Sequence, residues 1–115
     1  MDADPDEILR TIFGFAAFRG VQERAVADVV AGRDLLLVMP TGAGKSLCYQ
    51  VPALVRPGCA IVVSPLLALM AEQVQALKAL GVRAEALNSQ TTDPGRVVRA
   101  LREGRLDLLF VAPER

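Results

Sequence analysis

Histidine is absent from this 115-residue sequence, and cysteine occurs only at Cys48 and Cys59. The two cysteines do not form a Cys-x-x-Cys pair, so the chain lacks the ligand set from which zinc sites are usually built. We expect both to be buried thiols of a reducing compartment. No apolar run approaches a membrane span, and the acidic N-terminus lacks the basic-then-apolar pattern of a signal peptide. We therefore expect a cytoplasmic protein with no membrane partner.

Net charge is also lacking, because 13 Lys and Arg residues balance 13 Asp and Glu residues. Bulk electrostatics therefore neither favours nor excludes nucleic acid as a partner, and any basic surface must be local. Apolar residues, in contrast, make up 52% of the chain. That is enough for the core of one small domain or of a part of a larger one.

Apolar runs alternate with helix-like segments along the chain. Strands are predicted at residues 35–38, 59–63, 83–87 and 106–111. Helices are predicted from capping and stop residues at residues 4–13, 21–31, 66–80 and 93–103, and from residue 47 to a kink or end near Pro52. This alternation predicts an α/β fold, a parallel sheet with helices on both faces. In such sheets ligands bind at the carboxyl ends of the strands.

Residues 39–46 read Met-Pro-Thr-Gly-Ala-Gly-Lys-Ser and follow the first predicted strand. A strand, a glycine-rich loop ending in Gly-Lys-Ser and a helix start are typical of a phosphate-binding P-loop. Glycines let consecutive N–H groups face an anion, while Lys45 can reach the terminal phosphates and Ser46 offers Mg²⁺ a hydroxyl. The loop therefore predicts a nucleoside triphosphate as ligand. Its candidate binding residues are Thr41, Gly42, Ala43, Gly44, Lys45 and Ser46.

The segments around this loop resemble those of RecQ-type DNA helicases of superfamily 2. The similar segments are residues 13–22 (motif 0), 39–54 (motif I, in which methionine at the first loop position is usual), 63–74 (motif Ia), and 87–89 and 109–115 (the next two motifs). The resemblance covers about residues 8–115 and implies part of a RecA-like P-loop NTPase domain. It also implies ATP and Mg²⁺ as cofactors, with Lys45 and Ser46 in catalytic positions and Ser46 on the metal.

By the same resemblance, three residues before the P-loop contact the nucleotide base. Gln22 is expected to read the adenine edge, Arg19 to lie beside the base, and Phe15 to stack on it where the family often has tyrosine. The usual Arg-Pro-Gly-Gln is Arg-Gly-Val-Gln here, so the resemblance does not determine the path of this loop. From the pattern alone, Gln22 is instead a solvated residue in the first turn of a helix.

Ser64, Pro65, Asn88 and Ser89 fall where the resemblance implies contacts to the DNA backbone. Hydroxyls, amides and backbone N–H groups suit phosphate oxygens and carry no sequence preference. The alternative is turn and cap chemistry at the same residues, and both interpretations can hold together.

Two helical stripes are assigned a structural role. Arg96, Arg99 and Arg102 share one helix face, which we interpret as solvated rather than as a phosphate-tracking stripe. An apolar stripe on the preceding helix is predicted to be core. Its members are Leu66, Leu69, Met70, Val74 and Leu77.

The resemblance implies an ATP-dependent helicase that unwinds DNA with 3′-to-5′ polarity and acts on single strands and duplex junctions. If the source is bacterial, it also implies association with the nucleoid. The Asp-Glu-Ala-His motif and the arginine finger of such enzymes are not in residues 1–115. We therefore expect residues 1–115 to be the N-terminal part of a first motor domain and to be inactive on their own. An RNA helicase of the same superfamily and a non-catalytic nucleotide-binding module are the alternatives.

Overall fold

A computed structural model describes residues 4–38 and 45–113 of the chain. The chain divides into two compact units, Met1–Pro57 and Gly58–Arg115. The described part of the first is helical, and the second combines strands with helices. The elements are α1 (Pro5–Thr11), α2 (Gln22–Val30), α3 (Leu47–Val55), β1 (Ala60–Val63), α4 (Leu67–Ala79), β2 (Ala84–Leu87), α5 (Pro94–Arg102) and β3 (Leu108–Val111).

In the first unit, α1 and α2 each pack against α3. The α1 helix starts as predicted, because Asp4 accepts a hydrogen bond from the N–H of Asp6 at 3.1 Å and proline occupies the first turn. An apolar cluster lies among the three helices and consists of Ile8, Leu9, Val26, Val51 and Val55. Pro52 is tolerated inside α3, which continues to Val55.

The second unit contains a three-stranded parallel sheet in the order β1-β3-β2. β3 is last in sequence but central in the sheet. Its residues Leu108, Leu109 and Phe110 are 0%, 3% and 1% exposed. Because successive side chains of a strand point to opposite faces, β3 is covered on both faces. The α5 residues Val97 and Ala100 cluster with Leu109, and α4 packs against β2.

The strand predicted at residues 35–38 is wrong, since the structure assigns no strand there. Leu36 and Val38 are 90% and 86% exposed. A strand needs a neighbouring strand for its N–H and C=O groups, and an apolar run does not supply one by itself. The other three predicted strands are present as β1, β2 and β3.

The predicted core stripe of α4 is correct only in part. Met70, Val74 and Leu77 are buried, whereas Leu66 is 58% and Leu69 41% exposed. Leu66 caps the helix with extended backbone angles, so it does not follow the helical period. Leu69 lies about 100° around the helix axis from Met70, at the margin of the buried face.

None of the helices in residues 4–38 and 45–113 has the length and hydrophobicity needed to cross a bilayer.

Candidate functional site

Lys45 and Ser46 lie directly before α3, and Ser46 is the N-cap residue of that helix. The carbonyl of Ser46 accepts the N–H of Gln50 at 2.9 Å, and that of Lys45 accepts the N–H of Cys48 at 3.0 Å. Lys45 is exposed and Ser46 half-buried. The other predicted loop residues lie outside the described part of the chain; they are Thr41, Gly42, Ala43 and Gly44.

The amino end of α3 suits an anion. The amino end of a helix carries a partial positive charge, which stabilises a phosphate placed there. No acidic residue occupies the first turn of α3, so none competes for that charge. The helix is fixed by Val51 and Val55, which are 0% and 5% exposed in the apolar cluster. Lys45 and Ser46 therefore stand on a rigid support.

Gln22 is held in a reciprocal turn with Arg19. The N–H of Arg19 donates to Oε1 of Gln22 at 2.7 Å, and the N–H of Gln22 donates to the carbonyl of Arg19 at 3.0 Å. This exchange resembles a capping box at the start of a helix. Gln22 is only 4% exposed, so its interpretation as a solvated first-turn residue is wrong. The structure brings Arg19 and Gln22 together at the start of α2.

Phe15 follows α1 in the same unit and is 51% exposed. Its N–H donates to the carbonyl of Leu9 at 3.1 Å, which ties the residue to the end of α1. Arg19 is also exposed. An aromatic ring and a guanidinium open to solvent are groups that can stack on a planar base.

In the second unit, Ser64 and Asn88 follow β1 and β2 at the carboxyl edge of the sheet. The N–H of Ser64 donates to the carbonyl of Val111 at 3.0 Å, and that of Ala112 to the carbonyl of Leu87 at 3.2 Å. The hydrogen-bond ladder thus continues past the strands, and it aligns Ser64, Ala112 and Asn88 along one edge. As predicted from parallel topology, the loops after the three strands emerge at the same end.

The turn chemistry predicted for these residues is confirmed. The Ser64 Oγ accepts the N–H of Leu66 at 3.2 Å, and the Asn88 Oδ1 accepts the N–H of Gln90 at 2.8 Å. Asn88 is 6% exposed. Pro65 and Ser89 are exposed, so these two present groups to solvent at the carboxyl edge. These hydrogen bonds shape the two loops. Contact of the same residues with DNA is a separate proposal.

The three arginines on one face of α5 differ in their interactions. Arg96 donates from its guanidinium to both carboxylate oxygens of Glu85 at 3.2 and 3.4 Å. One of the three charges is therefore committed to an ion pair within the unit. Arg96, Arg99 and Arg102 are nevertheless all exposed, which confirms the interpretation of a solvated face.

Glu85 links three elements, because Lys78 of α4 approaches the same carboxylate at 3.4 Å. Burial alone would raise the pKa of Glu85, but the hydrogen bond from Arg96 and the charges of Lys78 and Arg96 hold this pKa below its usual value. A carboxyl group with a lowered pKa in the folded state stabilises the fold above its unfolded pKa. That stabilisation is lost as the pH falls through the folded pKa.

We therefore expect the stability of the sheet to decrease between about pH 5 and pH 3, in part through Glu85. The Glu85→Gln variant loses this part of the pH dependence. Hydrogen exchange of the β2 amides, corrected for intrinsic rates, measures it. The control is Glu72→Gln, which alters an exposed carboxylate of α4. An unchanged pH profile in Glu85→Gln would contradict the expectation.

Cys48 is buried on α3 and Cys59 is half-buried before β1, and both are free thiols. Burial raises the pKa of Cys48, and burial together with the charge of Asp107 raises that of Cys59. Both groups are thus thiols rather than thiolates near neutral pH. In the described part of the chain, no group of three or more potential ligands could hold a metal ion.

Two residues that stabilise β2 and the loop after it are not predicted from the sequence. Glu85 is predicted only as part of a strand, and Thr91 has no predicted role. Thr91 bonds to the loop at Asn88 and to β2 at Ala86. The signal for Thr91 was available, because a hydroxyl three residues after an Asn-Ser turn often closes it.

Several curated proteins are similar to this chain. The ATP-dependent DNA helicase RecQ of Haemophilus influenzae is 46% identical over 110 residues, covering 94% of this chain and 18% of that protein. The ATP-dependent DNA helicase RecQ of Synechocystis is 45% identical over 111 residues, covering 95% of this chain and 23% of that protein. The ATP-dependent DNA helicase Q-like 2 of Arabidopsis thaliana is 42% identical over 118 residues, covering 99% and 17%. The chain spans about a fifth of the length of these relatives.

A family model gives the same result. The model of the DEAD/DEAH box helicase family matches residues 19–115, which include Arg19, Gln22, Lys45 and the carboxyl edge of the sheet. The family implies a RecA-like P-loop fold, to which the parallel sheet and surrounding helices conform. This chain therefore belongs to the DEAD/DEAH box helicase family.

Proposed function

We propose that this chain is part of the first motor domain of a RecQ-type, ATP-dependent DNA helicase with 3′-to-5′ polarity. The observation that carries the proposal is the position of Lys45 and Ser46 at the amino end of α3, a helix that packs into the core of its unit and has no acidic residue in its first turn. If the source is bacterial, a motor of this type acts in the cytoplasm, in association with the nucleoid.

ATP with Mg²⁺ is the cofactor that fits these residues. A lysine ammonium and helix amides supply positive charge for the phosphates, and the Ser46 hydroxyl is a ligand that Mg²⁺ accepts. When bound, Mg²⁺ neutralises charge on the phosphates. We assign Thr41, Gly42, Ala43 and Gly44 to the same phosphate loop from their place in the motif.

The adenine end of the nucleotide is assigned to the turn before α2. The hydrogen bond to Arg19 already fixes the side chain of Gln22. Nucleotide binding therefore costs less conformational entropy at this residue than it would at a mobile side chain. Phe15 and Arg19 are exposed and offer planar groups for stacking on the base. We propose that these three residues select and hold adenine.

The DNA backbone is assigned to the carboxyl edge of the sheet. Ser64, Pro65, Asn88 and Ser89 lie there, and Pro65 and Ser89 are exposed. Such uncharged groups contact phosphates without reading bases, which suits a motor that moves along any strand. The relatives described above are named as DNA helicases, and this favours DNA over RNA as the partner.

Strand separation by the full-length protein tests the proposal. We expect ATP- and Mg²⁺-dependent displacement of a labelled strand from a duplex with a 3′ single-stranded tail. A duplex with a 5′ tail is the polarity control, and a matched RNA duplex is the control for substrate class. Displacement restricted to RNA, or nucleotide binding without hydrolysis, would overturn the DNA helicase assignment.

A further inference from the structure

The side chain of Thr91 joins the loop that follows β2 to the strand before it. Its Oγ1 donates to the carbonyl of Ala86 at 3.0 Å and accepts the N–H of Asn88 at 2.9 Å. Its own N–H donates to the carbonyl of Asn88 at 3.1 Å. Thr91 thus joins the loop to the strand from which the loop emerges.

These bonds determine what the loop presents. Both backbone groups of Asn88 bond to Thr91, and its Oδ1 accepts the N–H of Gln90. Asn88 is therefore turned inward at 6% exposure, while Ser89 and Gln90 form the exposed tip. The direction of Ser89 at the carboxyl edge depends on the turn that Thr91 closes.

A hydroxyl suits this position because its one oxygen atom both donates and accepts. Only a group that donates and accepts at once can serve the Ala86 carbonyl and the Asn88 N–H together. Valine has nearly the same shape but provides neither function. Serine provides both functions with less restriction of its side-chain torsion.

We propose that Thr91 is a positioning residue for DNA binding, which acts by holding Ser89 in the orientation that contacts the phosphate backbone. The inference rests on the proposed function, in which the carboxyl edge binds DNA. Thr91 itself is half-buried and makes its bonds inside the loop. Its effect on DNA is therefore exerted through Ser89.

The test is DNA-stimulated ATP hydrolysis by the full-length protein, titrated with single-stranded oligothymidine. In Thr91→Val we expect the oligonucleotide concentration for half-maximal stimulation to rise about five- to tenfold, as for the loss of one or two hydrogen bonds. The KM for ATP changes far less. Thr91→Ser restores binding to within about twofold, and Thr92→Val, at the exposed neighbouring threonine, stays at the wild-type value.

Two further readouts separate positioning from a general loss of structure. Hydrogen exchange of the Asn88 and Gln90 amides rises in Thr91→Val, while that of β3 does not. In a double-mutant cycle, Thr91→Val adds less than about twofold to the effect of Ser89→Ala, because both remove the same contact.

Three results would each overturn the inference while leaving the helicase assignment intact. The first is wild-type DNA affinity in Thr91→Val, and the second is a double mutant in which the two losses of DNA affinity multiply. The third is a loss of amide protection in β3 as large as that in the loop. Absence of DNA stimulation in the wild-type protein would instead overturn the proposed function on which the inference rests.

Discussion

Replacement of Lys45 by alanine in the full-length protein is expected to lower the kcat for ATP hydrolysis by about 10²-fold or more, the cost of removing one preorganised charge from a transition state. Lys45 is exposed at the amino end of α3, where its ammonium can extend toward the terminal phosphates. The helix amides remain in the variant and still attract a phosphate. We therefore expect the loss in kcat to exceed the loss in nucleotide affinity.

The chain supplies a matched control, because Lys78 is its only other lysine. Lys78 lies on α4 and pairs with Glu85 in the second unit. Arg96 still pairs with Glu85 when Lys78 is removed, and Lys78 has no proposed contact with the nucleotide, so Lys78→Ala should change kcat by less than about twofold. Steady-state hydrolysis measures kcat, and fluorescent nucleotide titration measures affinity. Equal activities of the two alanine variants would contradict the role given to Lys45.

Replacement of Phe110 by alanine is expected to destabilise the sheet by about 3–5 kcal/mol. Phe110 lies in the central strand at 1% exposure, and it pairs in register with Val62 and Ala86 on the two neighbouring strands. Loss of the ring leaves a cavity that three strands would have to shift together to fill. Phe110 has no proposed contact with the nucleotide. We therefore expect the substitution to lower the stability of the sheet rather than to act directly on ATP hydrolysis.

Hydrogen exchange of the strand amides gives the opening free energy of this unit. Phe110→Leu retains most of the buried volume and should cost less than about 1.5 kcal/mol. Leu80→Ala, at a residue 44% exposed after α4, serves as the surface control and should cost less than about 1 kcal/mol. A loss in Phe110→Ala no larger than in Leu80→Ala would show that β3 is not the centre of the core.

Features that depend on neighbouring residues in sequence were predictable. Asp93 caps α5 by accepting the N–H of Arg96 at 3.1 Å, as the Asp-Pro pair indicates. Asp4 does the same for α1. The parallel sheet followed from continuous apolar runs. In each case the deciding interaction joins groups a few residues apart, or depends on composition alone.

Features that depend on residues distant in sequence could not be predicted. Residues 35–38 are as apolar as β1, yet strand formation needs a neighbour that composition does not identify. The burial of Gln22 depends on how its turn closes on Arg19. Likewise the double ion pair of Glu85 needs α4 and α5 to flank β2. The P-loop residues 39–44 remain known from their motif alone.

The strand order also determines when the sheet can form during synthesis. β1 and β2 are both hydrogen-bonded to β3 and not to each other, yet β3 is made about 50 residues after β1. At about 5–20 residues per second, β1 waits several seconds on the ribosome with its apolar side chains unpaired. Ile61 and Val63 are exposed even in the folded chain. Of the three strands, β1 therefore waits longest for its partner, and its apolar side chains are open to a chaperone during that time.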